Sequence, residues 1–63
     1  MERVKYALIM NNRTIQKFTN YEEARMALDE KVIDMDERGK DFYELYIAYI
    51  KLNGKRGRVI YCF

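Results

Sequence analysis

The chain has no histidine and no proline, and only one cysteine, Cys62, among its 63 residues. Without histidine it lacks the side chain that most often serves as a general base near neutral pH and as a nitrogen ligand for zinc. A single cysteine rules out an internal disulfide. Cys62 sits in an apolar stretch and reads as small hydrophobic packing rather than as a nucleophile. The lack of proline suits uninterrupted elements joined by short turns. Asp29, Asp34, Asp36 and Glu37 lie close together, but without the ligand spacing and central glycine of a calcium loop. Gly54 and Gly57 do not form a phosphate-cradling loop ahead of a helix. No catalytic residue, metal ligand or cofactor is therefore expected. A domain this small also has little room for a closed pocket, so no small-molecule substrate is expected either.

Long apolar runs are missing as well. The stretch 4–10 is broken by Lys5, is too short to span a membrane and is followed by no signal-cleavage pattern. With the lone cysteine, this makes the cytoplasm the expected location. What is present is a folding composition, 49% hydrophobic and 35% charged, with six tyrosines and three phenylalanines. A single domain spanning 1–63 is expected. A chain of this length buries only about 60% of its unfolded surface, so its core needs good packing or self-association.

Residues 3–10 and 13–18 are rich in strand formers, and Asn11-Asn12 between them suits a tight turn. Thr19 and Asn20 are candidate helix N-caps, each followed three residues later by Glu22 or Glu23. Tyr21, Ala24, Leu28, Val32 and Met35 then recur at helical spacing, and Gly39 supplies a stop. Residues 41–52 read two ways. Asp41 with Glu44 would cap a helix carrying Phe42, Leu45, Tyr46 and Tyr49, whereas Tyr43, Tyr46, Ile47, Tyr49 and Ile50 favour a strand. Asn53-Gly54 is a strong hairpin signal with arms 44–52 and 55–63, which decides for the strand. The predicted fold is α+β, ββαββ, a four-stranded mainly antiparallel sheet with one helix packed on one face.

A two-residue loop at Asn53-Gly54 pairs Leu52 with Lys55, Ala48 with Val59 and Tyr46 with Tyr61. The helix is expected on the side of Val4, Leu8, Ile50 and Val59. The opposite, outer face would then expose apolar residues among cations, as contact surfaces do. Its predicted binding residues are Tyr43, Ile47, Tyr49, Lys51, Arg56, Arg58 and Ile60. Charge is segregated: residues 20–38 hold seven acids and three bases, a net of about −4, and the rest hold nine bases and three acids, about +6. On the helix, Met26 and Ile33 stand one heptad apart, off the core stripe.

Two function classes follow. The first is a non-enzymatic protein-interaction module, a homodimer or a binder of a host protein through the outer face, since tyrosine and arginine are favoured hot-spot residues. The second is a nucleic-acid-binding domain, with Tyr43 and Tyr49 between cations in the manner of single-strand binders. The string Phe18-Thr19-Asn20-Tyr21-Glu22-Glu23-Ala24, a strand running into a capped helix, resembles many small phage- and mobile-element-encoded bacterial accessory proteins. The resemblance covers the middle third of the chain. It implies a small factor that binds a host protein or nucleic acid, and it transfers no functional residues.

Overall fold

Asn11 and Asn12 both adopt positive φ, 51° and 67°, the pair a type I′ turn demands. They join β1 (Tyr6–Met10) to β2 (Arg13–Phe18) as an antiparallel hairpin, with Met10 opposite Arg13. The structure is a computed structural model that describes residues 3–39 and 43–63. Helix α1 (Tyr21–Glu37) starts at Asn20, whose Oδ1 accepts from the Glu23 amide at 2.8 Å. Gly39, at φ 71°, follows its end. Strands β3 (Leu45–Ile50) and β4 (Arg56–Cys62) form the second hairpin. The fold is α+β in the order ββαββ, as the sequence implies, with one antiparallel sheet ordered β2-β1-β3-β4. Residues 45–50 are a strand. The proposed helix start at Asp41 and Phe42 lies outside the described residues.

The helix packs on β1, β2 and β3. Leu8, Phe18, Leu45 and Ile47 meet Ala24 and Leu28, with Tyr6, Met10, Tyr21, Val32, Tyr43 and Tyr61 around them. The helical stripe is the one the spacing predicts. The face it covers on β3 is not. Leu8 stands opposite Ile47 and Tyr6 opposite Tyr49, so β3 turns its odd-numbered residues to the helix. Ile50 and Ala48 belong to the reverse face, with Ala7 and Ile9. Sequence turns fix faces within a hairpin, but β1 and β3 are linked through the helix, and no turn sets their register.

The second loop also differs. Gly54 donates to the Lys51 carbonyl, Lys51 donates to the Lys55 carbonyl, both at 2.9 Å, and Gly54 has φ 84°. These are the marks of a three-residue loop with a glycine bulge, Leu52-Asn53-Gly54, not of a two-residue one. Ala48 still meets Val59, but only because β4 shifts register again; Tyr46 then faces Cys62, and Tyr61 faces Ile47. All register shifts fall where the edge strands β2 and β4 meet the central pair. Bulges bend strands, sharpen twist and blunt edges against pairing with other chains.

The face away from the helix is closed. Ala7 and Ile9 are 0% exposed, Ala48 1% and Ile50 6%. No helix or second sheet covers them among the described residues. Ala7 pairs directly with Ala48, so the centre of this face is small on both strands, and Tyr46 packs beside it. Arg56 closes the rim, donating to the Tyr46 hydroxyl at 3.3 Å and to Asn12 Oδ1 at 3.2 Å. Enlarging this centre should strain it: Ala48→Leu is expected to lower stability by about 1–3 kcal/mol in urea unfolding. An unchanged midpoint would mean that the face is open.

Candidate functional site

The side chains that converge at the surface do so on the helix side, beyond the helix N-terminus. Because α1 packs on the first three strands in the sheet, β4 is left largely bare. The main bridge is Arg25, whose guanidinium sits 4.0 Å over the Tyr61 ring while ion-pairing with Asp29 at 2.6 Å. That hydrogen bond to Asp29 holds the guanidinium still more firmly protonated than usual. Next to this bridge opens a groove of about 550 Å³, lined by Tyr6, Tyr21, Tyr49, Arg58, Val59 and Ile60. A smaller hollow of about 400 Å³ continues from it along Tyr49, Lys51, Gly57 and Arg58.

The tyrosines brace one another. Tyr6 meets Tyr21 edge-to-face at 5.9 Å and Tyr49 at 6.3 Å, a favoured aromatic geometry. Tyr49 is further held by Arg3, which lies 5.6 Å from its ring centre and donates to its hydroxyl at 3.4 Å. Arg3 also donates to the Ile50 carbonyl. Gly57 allows the Lys51 stem to lie across β4: a Cβ there would stand 3.1 Å from the Tyr49 carbonyl and 3.3 Å from Lys51 Cγ.

Of the predicted binding residues, the structure brings together Tyr49, Lys51, Arg58 and Ile60. Ile47 is 0% exposed in the core beneath the helix and cannot be contacted. Tyr43 packs on the same face as Tyr49 but precedes β3, six residues before Tyr49 in the chain. It stacks on Phe63 at 5.9 Å. Arg56 belongs to the far face, with Tyr46 and Asn12. Tyr6, Tyr21, Arg3 and Val59 were missed. Tyr21 reads as part of the helix's core stripe, which it partly is; the pairing of β1 with β3 that sets Tyr6 against Tyr49 has no signal in the sequence.

Among the described residues, no polar side chain is buried and no three metal-ligating side chains stand together. Among the described residues, no helix is long and apolar enough to cross a membrane. Comparison with protein-family models, curated proteins and solved structures finds no match.

The Arg3 hydrogen bond and charge, joined by that of Lys5, lower the Tyr49 phenol below its ordinary pKa of 10.0. The folded state therefore holds the phenolate more readily than the unfolded chain. The resulting stabilisation is present above the ordinary tyrosine range and fades as pH falls through the lowered value. In an NMR titration, Arg3→Ala should move the ionisation of the Tyr49 phenol to higher pH. A Tyr49 ionisation that Arg3→Ala leaves in place would contradict the contact.

Proposed function

We propose that this chain is a small, non-enzymatic protein-interaction module whose partner seats in the tyrosine groove. The observation that carries this reading is the convergence of Tyr6, Tyr21 and Tyr49 with Arg58, Val59 and Ile60 in one open concavity. Braced tyrosines offer large contact area at low entropic cost, and tyrosine and arginine dominate protein hot spots. Val59, 52% exposed, and Ile60, 38% exposed, give a partner apolar surface to bury.

The reading moves the contact surface away from the sheet face opposite the helix. A homodimer through that face would have little to gain, since its apolar centre is already buried within one chain. The alternative is a nucleic-acid binder, favoured by the cations around the groove. Single-strand binders stack bases on open ring faces. Here Tyr6 and Tyr49 engage each other edge-to-face, and Arg3 lies against Tyr49.

Photo-crosslinking tests the surface. A photoreactive amino acid at Val59 should yield discrete protein adducts in extract of the source cells. The same residue at Ile33, which is 59% exposed on the helix, should yield few. Arg58→Glu should reduce the Val59 adducts. Equal adducts at both positions would contradict the reading, as would salt-sensitive binding of a labelled single-stranded oligonucleotide that blocks them.

A further inference from the structure

Charge divides the molecule more sharply than composition alone conveys. Among the described residues, every ion pair belongs to α1 and its C-cap, Arg38: Arg25 with Asp29, and Asp34 with both Lys31 and Arg38. The helical acids therefore compensate helical bases, and no described acid pairs with the cations of the sheet. Four cations gather at one place. Arg3 contacts Tyr49, Lys51 and Arg58 line the hollow beside it, and Lys5 acts on its phenol. Among the described residues, no acid lines the tyrosine groove, the Lys51 hollow or the adjoining concavity of about 240 Å³ that Arg3, Lys17 and Lys51 share. The groove on the other flank of the helix differs, with Glu30 and Asp34 in its wall.

The tyrosine groove is thus an apolar slot that opens into a cationic trough in which no described acid pairs with the cations. Tyr21, Tyr49, Val59 and Ile60 suit one apolar or aromatic side chain. Arg58, at the junction of groove and trough, and Lys51 beyond it suit carboxylates that follow in the same segment. Edge pairing is not available as an alternative mode along this part of β4, because its bulges break the regular ladder that strand addition needs. Resting on the protein-binding reading above, we propose that the partner is a protein presenting an acidic segment, which anchors an apolar or aromatic side chain in the groove between Tyr21 and Tyr49 and lays its carboxylates along Arg58, Lys51 and Arg3.

The probe is an acetylated peptide with a central phenylalanine between runs of glutamate, titrated into the isotope-labelled full chain by NMR. Its twin with lysine in place of glutamate and a single-stranded oligothymidylate serve as comparisons. The glutamate peptide should bind saturably, shift the amides of Tyr49, Gly57, Arg58 and Ile60, and weaken with added salt. Arg58→Glu and Lys51→Glu, both at exposed positions, should each weaken it by about fivefold or more. Arg13→Glu, on the opposite edge of the sheet, should leave it unchanged. Equal binding of the lysine peptide, shifts confined to the helix, tighter binding of the oligothymidylate, or no binding of the glutamate peptide would each overturn the proposal. If the peptide fails while Val59 still crosslinks to protein, the acidic segment falls and the protein-binding reading stands. If both fail, they fall together.

Discussion

One helix can cover one face of a four-stranded sheet, and the rest of this structure follows from how the other face is shut. The central pair β1–β3 is apolar on both sides, so a flat sheet would leave Ile9 and Ile50 in water. The direct opposition of Ala7 and Ala48 avoids this: two small side chains meet at the middle of the far face, and larger neighbours close around them. Bulges where β2 and β4 join the central pair bend the outer strands. Burying a large side chain such as Ile9 is worth roughly 1.5–3 kcal/mol, a large share of the margin a domain this small can hold. The closure is thus part of the core, although no second layer supplies it among the described residues.

Closing the far face in this way leaves the near face with the surplus. With α1 packed on β1, β2 and β3, the near side of β4 is bridged mainly by Arg25 on Tyr61, and the concavity at the helix start is floored by tyrosines that are half core and half surface. The same parity that pairs Ala7 with Ala48 pairs Tyr6 with Tyr49. The closed face and the open groove are two consequences of a single register, and a shift of one residue would undo both.

Much of the fold was legible because it is local. Asn11-Asn12 fixed a turn through residues that tolerate positive φ, and Asn11 also clamps β3, its amide donating to the Glu44 carbonyl at 2.9 Å and its Oδ1 accepting from the Glu44 amide at 3.0 Å. Asn20 fixed the helix start, and Tyr21, Ala24, Leu28, Val32 and Met35 fixed its buried stripe. The β1–β3 register was not legible, because 34 residues of intervening chain, helix included, carry no turn chemistry to set it. The bulges in β4 were not legible either: residues 55–63 hold no signal that separates a three-residue loop with compensating shifts from a two-residue loop without them. As a result Tyr49, Lys51, Arg58 and Ile60 were found together, whereas Ile47, Tyr43 and Arg56 were assigned to a surface they do not share.

The register is tested most directly by solvent paramagnetic relaxation of methyl groups in the isolated chain at dilute concentration. The methyls of Ala7, Ile9, Ala48 and Ile50 should be protected to the level of Leu28 and Ile47, while those of Val59 and Ile60 relax strongly. Methyls of Ala7, Ala48 and Ile50 relaxing as fast as that of Val59 would contradict the closed far face, and with it the location of the groove.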